Sequence, residues 1–239
     1  YLLRESILEG DLVVAYSQFS RNLILKGVAD PCFNRVKVVP PGVESSWFDV
    51  ERKLPTDSRL LFWGRLEEEK GLPELFIALK EVTKKIKRVK LTLVGEGNQL
   101  KEYKNLVATL GLTEQVEFKG WLDARGIQNL TTQSYLGLFP SRVESFGLSV
   151  IEAMAAGLPV IAASGGAVPE NIKDGVTGAL VPVNDSDALA KAIISALENP
   201  QYIETLAKVA KKVVRERFSW DKTADSMIDL YTSVLRSGI

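Results

Sequence analysis

From Arg59 onward the chain alternates short apolar runs with longer stretches whose apolar residues recur at helical spacing. Arg59–Trp63 and residues 89–94, 115–118, 135–139, 159–163 and 178–181 read as strands, most of them apolar on both faces. Such strands belong in a parallel sheet covered by helices on each side, because a sheet with one wet face alternates instead. Between them, residues 73–87, 99–110, 123–132, 148–156 and 185–197 read as helices. The first sets Leu75, Phe76, Leu79 and Val82 on one face, with Lys and Glu opposite. This rhythm predicts right-handed strand–helix–strand crossovers. The expected fold is α/β, a Rossmann-like doubly wound parallel sheet of six strands in the order 3-2-1-4-5-6.

The flanks read differently. Residues 1–42 hold two strands (11–15 and 36–39) and a helix over 17–26, for which Ser17 and Ser20 suit as caps and Gly27 as a stop. Two strands and one helix do not cover both faces of a sheet, so this segment reads as the remnant of another domain. Pro40-Pro41-Gly42 breaks the pattern, and residues 43–57 read as a linker to the main unit at 58–218. The tail is nearly all helix: 185–197, 200–216 and 220–235. Its last part, 219–239, carries Trp220, Met227, Leu230, Tyr231, Val234 and Leu235 at helical spacing. Leu2, Leu3, Val13, Leu23, Ile24 and Leu25 of the remnant also need cover, so the last helix is expected to cross back onto residues 1–42. A remnant sheet without its neighbours is expected to expose an edge and an apolar patch through which two copies form a homodimer.

Composition narrows the chemistry. The 239 residues carry 30 acidic and 30 basic side chains, so no overall field points to nucleic acid. No apolar run approaches the ~20 residues of a membrane-spanning helix, and residues 1–3 are too short a block for a secretion signal. The single cysteine, Cys32, excludes an internal disulfide, reads as an inert small residue and suits a cytoplasmic location. Histidine is absent, which removes Ser-His-Asp hydrolysis, Cys-His proteolysis and His-ligated zinc together. The basic run Lys84-Lys85-Ile86-Lys87-Arg88 suits peripheral membrane contact in a full enzyme, or simply a solvated helix end.

Three loops at strand ends carry the candidate chemistry. Gly64-Arg65 closes the first strand of the main unit, and Lys70-Gly71 opens the next helix after Glu67-Glu68-Glu69. An arginine and a lysine in one strand-end loop suit a diphosphate clamp; they also suit surface pairing with those glutamates. Glu144 and Glu152 flank Phe146, Gly147, Leu148 and Ser149, where a helix begins and its free amides form an anion site. Carboxylates there accept from sugar hydroxyls, or merely cap a dipole and pair on the surface. Gly165-Gly166, ahead of Glu170, lets a backbone approach a ligand closely, or makes an ordinary turn.

Taken in order, Pro41-Gly42-Val43, Gly64-Arg65-Leu66, Lys70-Gly71, Gly95-Glu96-Gly97, Glu144 and Glu152 around Phe146-Gly147, and Gly165-Gly166 with Glu170 resemble the retaining GT-B glycosyltransferases of family four. The resemblance runs from Asp11 to Tyr231 and implies a nucleoside-diphosphate sugar as donor, with neither cofactor nor metal. It implies that Arg65, Lys70 and Glu144 are catalytic, the first two on the diphosphate and the third on the transferred sugar. It further implies donor contacts at Gly64, Gly165, Gly166 and the amides of Phe146, Gly147, Leu148 and Ser149. Glu152 would meet the ribose, while Gly95, Phe118 and Lys119 would flank the base. About half of a GT-B enzyme would lie outside this chain, which is therefore expected to bind donor without turnover; the acceptor, base and sugar stay open. A non-catalytic nucleotide-binding module docked on a partner chain, and an epimerase on the same architecture, are the competing readings. Asp185-Ser186-Asp187 resembles a metal-binding Asp-x-Asp but opens an amphipathic helix, so capping explains it. Gly95-Glu96-Gly97 lacks the last glycine of a dinucleotide fingerprint.

Overall fold

The computed structural model describes residues 10–27, 34–53, 55 and 57–236. Cys32, Leu2 and Leu3 lie outside them. The first elements are β1 (Val13–Ala15), α1 (Gln18–Gly27) and β2 (Val36–Val38), with β1 and β2 paired in parallel as a separate two-stranded sheet. Next come β3 (Arg59–Trp63), α2 (Leu72–Lys85), β4 (Lys90–Val94), α3 (Leu100–Thr109), β5 (Val116–Phe118) and α4 (Ala124–Gln133). The second half runs β6 (Leu136–Phe139), α5 (Leu148–Ala155), β7 (Val160–Ala163), α6 (Val168–Asn171) and β8 (Ala179–Val181). Three helices follow: α7 (Ser186–Glu198), α8 (Pro200–Arg217) and α9 (Trp220–Arg236).

The main sheet has the strand order β5-β4-β3-β6-β7-β8, and every pair is parallel. That is the expected 3-2-1-4-5-6. The cause is visible in the strands themselves: all four residues of β6 and of β7 are buried, as are Leu60, Leu61, Phe62 and Trp63 of β3. Both faces therefore need helical cover. On α2 the buried stripe is Leu72, Leu75, Phe76, Ala78, Leu79 and Val82. The Lys-rich end of α2 is a solvated surface in which Lys84 pairs with Glu81 at 2.7 Å.

Residues 43–57 do more than connect. Val43, Trp47 and Phe48 are buried, and Trp47 stacks on Trp63 with ring centroids 5.9 Å apart. The Arg52 side chain, only 6% exposed, donates to the carbonyls of Thr131 at 2.9 Å, Ser134 at 2.7 Å and Gly157. The strap is thus clamped to the main sheet's own helices.

The start of the last helix and the residues just before it hydrogen-bond to residues 40–44. Val43 N donates to Phe218 O at 2.7 Å, Thr223 Oγ1 to Pro40 O at 2.9 Å, and Trp220 Nε1 to Glu44 Oε1 at 3.1 Å. These contacts reach the pattern break and the start of the strap, not β1, α1 or β2. No residue of α9 is buried among the described residues; Met227, Leu230 and Val234 are half-buried, and Trp220, Tyr231 and Leu235 are exposed.

Candidate functional site

β3 and β6 are neighbours without being consecutive, so strand order reverses between them. Loops leaving two such strands diverge in opposite directions and open a crevice at the carboxyl edge of the sheet. One wall is the loop after β3, which ends in a short 3-10 turn at Glu68–Lys70. The other is the loop after β6, which ends at Gly147, the residue preceding α5.

Lys70 crosses this crevice. Its Nζ donates to Glu144 Oε1 at 2.7 Å, with the two side chains 14% and 19% exposed. Arg65 does not join them: its side chain is 72% exposed and pairs with Glu69 at 2.9 Å. Arg142, a residue the sequence reading missed, ties the two walls together. Its guanidinium reaches Glu74 at 2.8 Å and Glu68 at 3.1 Å, and its amide donates to Glu69 O at 2.7 Å. The hydrogen bond it donates to Glu74 leads the causes that raise its pKa above the usual arginine value. An arginine within a loop already singled out was the available signal.

Gly147 stands at φ 86 and ψ 52, a left-handed conformation that costs a residue with a Cβ about 1 kcal/mol or more. The turn aims the start of α5 into the crevice. The amides of Gly147, Leu148 and Ser149 donate to no backbone carbonyl among the described residues. Phe146 is buried edge-on against Phe218 at 5.6 Å and anchors the turn from below. Gly166, at φ 61, serves the same loop: a Cβ there would sit 2.2 Å from Glu144 O. One at Gly165 would sit 2.4 Å from the carbonyls of Ser141 and Arg142. The close approach these two glycines allow is therefore to the backbone that carries Glu144.

Glu152 lies one turn further along α5 and accepts from Trp63 Nε1 at 2.9 Å. A second hollow opens beside it, a groove of about 290 Å³ lined by Gly64, Arg65, Gly95, Trp121, Leu122 and Ile127 among others. Trp121 is 69% exposed there, a large aromatic face with little cover. Phe118 and Lys119 do not line it: Phe118 packs edge-on against Phe76 at 6.5 Å, and Lys119 N donates to Leu93 O at 2.9 Å. A tryptophan directly after Gly120 at a strand end was the signal that the sequence reading passed over.

The sequence matches the profile of the family Glycosyl transferases group 1 over residues 43–213. The chain belongs to that family. It is 32% identical over 247 residues to a D-inositol 3-phosphate glycosyltransferase of Segniliparus rotundus, covering 97% of this chain and 54% of that protein. Its fold is that of the GT-B glycosyltransferases. The structure of Anabaena HepE with UDP and glucose superposes with a TM-score of 0.87 at 25% identity, covering 97% of this chain and 66% of that one. A sucrose-phosphate synthase structure from Thermosynechococcus elongatus gives 0.85 at 28%, covering 98% and 61%. The chain spans about half the length of the curated relatives it matches.

In this member of the group 1 family, Asp185 caps α7 by accepting from Ala188 N at 2.8 Å. Among the described residues no group of three or more His, Cys, Asp or Glu side chains is arranged to hold a metal ion. No helix among them is long and apolar enough to cross a membrane.

Burial raises the Glu152 carboxyl above the usual Glu range, and the Trp63 hydrogen bond only partly offsets it. A carboxyl with a raised folded-state pKa stabilises the fold below its unfolded pKa and loses that contribution as pH rises through the folded value. Ionised Glu152 therefore costs stability at neutral pH. Glu152→Gln, which still accepts from Trp63, is expected to stabilise the fold more at pH 8 than at pH 4. Urea denaturation at the two pH values checks this; an equal change at both would mean that the charge is not strained.

Proposed function

We propose that the chain is the donor-binding part of a retaining, metal-independent glycosyltransferase of family four. It binds a nucleoside-diphosphate sugar and, in the full-length protein, passes the sugar to an acceptor hydroxyl. The observation that carries this reading is the meeting of the Lys70–Glu144 pair with the open amides of α5 at the switch point of the sheet.

The chemistry follows from the geometry. A diphosphate at the start of α5 would meet the amides of Leu148 and Ser149 and the positive end of the helix. Lys70 would turn from Glu144 to the phosphate, and Arg65 would swing in from the rim, so that two cations take up the charge that develops on the leaving group. Glu144, released from Lys70, would accept from hydroxyls of the transferred sugar, and Glu152 from those of the ribose. The domain boundaries follow the same logic: 1–42 belongs to the acceptor side, 43–57 is the strap, 58–218 holds the donor, and 219–239 crosses back. Retention fits a donor phosphate lying beside the incoming hydroxyl. Exposed Tyr16 and Leu23, and Ile228, Tyr231 and Leu235 on α9, leave apolar surfaces that an acceptor-side domain or a second copy would cover.

The base would lie in the groove beside Trp121. Trp121→Ala is expected to weaken nucleoside diphosphate binding by about 1–3 kcal/mol, the worth of one stacked base. Calorimetric titration with UDP, GDP and ADP tests both the class and the residue. No affinity for any of the three would sink the reading, and unchanged affinity in the variant would remove Trp121 from the base site.

A further inference from the structure

Glu144, Ser145 and Phe146 present three consecutive carbonyls, and each has its own donor. Ala167 N donates to Glu144 O at 2.8 Å, and Asn171 Nδ2 donates to Phe146 O. The middle carbonyl is held from elsewhere: Ser17 Oγ and Ser20 Oγ donate to Ser145 O at 2.5 and 2.9 Å, from 128 and 125 residues away in the chain. Those serines open α1, and α1 is itself held. Glu170 Oε2 accepts from Gln18 N at 2.8 Å, and Glu170 Oε1 from Phe19 N at 2.7 Å. A carboxylate on the first free amides of a helix satisfies two orphan donors and faces the positive end of the dipole.

We propose that Glu170 is a positioning residue for Glu144: by holding α1 over the crevice wall, it keeps Ser17 and Ser20 on Ser145 and so fixes the backbone that carries the Glu144 carboxylate. The inference rests on the reading of Glu144 as the residue that holds the transferred sugar. Ser145 and Val143, on either side of Glu144, are exposed, so their own packing does not hold the loop. Below the loop Phe146 anchors it on Phe218, and along the loop the three carbonyl contacts hold it. Without α1 the middle one loses both donors. A carboxylate that must meet sugar hydroxyls at hydrogen-bond distance does not tolerate that freedom, because small misplacements cost much of the interaction.

The test compares Glu170→Ala, Ser17→Ala with Ser20→Ala, and Glu144→Gln with the unaltered protein. Two quantities are read: amide exchange at 17–20 and 144–147, and the affinities for UDP with UDP-glucose, GDP with GDP-mannose, and ADP with ADP-glucose. In both latch variants, exchange at 144–147 is expected to accelerate about tenfold, and the extra affinity contributed by the sugar to fall by about the same factor. Affinity for the nucleoside diphosphate alone is expected to hold, since Lys70 and the α5 amides are untouched. Glu170→Asp, which keeps the charge, should restore part of the loss. If Glu144→Gln removes the sugar increment while Glu170→Ala leaves it and the loop exchange unchanged, the latch is overturned and the site reading survives. If the loop loosens in the latch variants but Glu144→Gln leaves the sugar increment intact, the mechanical link holds and the role given to Glu144 fails.

Discussion

Lys70→Ala is expected to lower sugar transfer by the full-length protein roughly 10²–10³-fold, the range for losing one preorganised group that meets developing charge. Lys70 sits 2.7 Å from Glu144, with both side chains largely withdrawn from solvent. Removing it has two separable effects. The donor phosphate loses a charge-assisted contact, worth about 1.5–3 kcal/mol of nucleoside diphosphate affinity. Glu144 is also left without its cation. Glu144→Gln separates the two: alone it should leave nucleoside diphosphate affinity nearly unchanged, and combined with Lys70→Ala it should not restore it. Calorimetry on the three variants, with transfer rates for the full-length protein, makes the comparison. Unchanged affinity in Lys70→Ala would mean that the Glu144 pair is an end in itself and that the lysine does not turn to phosphate.

Arg52→Met is expected to cost about 3–5 kcal/mol of stability, the range for breaking a buried ionic arrangement from one side. The guanidinium is enclosed, and burial depresses its pKa, an effect that Glu204 at 3.7 Å opposes only in part. What holds the charge there is the set of three carbonyls from Thr131, Ser134 and Gly157. Methionine fills much of the volume and leaves all three without their donor. Glu204 Oε1, already buried without a hydrogen-bond partner, would also lose its nearest cation. Arg52→Lys should recover only part of the loss, because an ammonium lacks the planar fork that reaches three acceptors at once. Urea denaturation of the three proteins gives the values. A loss below about 1 kcal/mol for Arg52→Met would show that water replaces the guanidinium at the carbonyls.

The fold was largely legible in the chain. Strands such as Leu136–Phe139 and Val160–Ala163 are short and apolar on both faces, and helices such as Leu72–Lys85 show one apolar stripe. Those are local signals, and the right-handed crossover rule turns them into an order of strands. Residues 43–57 were harder, because Trp47, Phe48 and Arg52 follow no period and their partners lie far along the chain. The short helix Val168–Asn171 was also not legible: four residues are too few to show a period.

At the site, the sequence by itself determined which loops matter. Each follows a strand at the carboxyl edge, and Gly147, Gly165 and Gly166 mark where backbone turns or crowds. It did not determine who meets whom. Lys70 has three glutamates immediately before it, yet its partner is Glu144, 74 residues on; Arg65 takes Glu69 instead. Glu170 reads as a loop residue and acts as the cap of a helix whose first amides lie 152 and 151 residues earlier. Glu152 reads as a helix carboxylate for ribose hydroxyls or for the helix dipole, and it is half-buried with its oxygen on Trp63 Nε1. Periodicity reports which face of an element is dry, because that depends on neighbours three or four residues away. Ion pairing and desolvation depend on which elements the packed sheet brings together, and only the tertiary structure decides that.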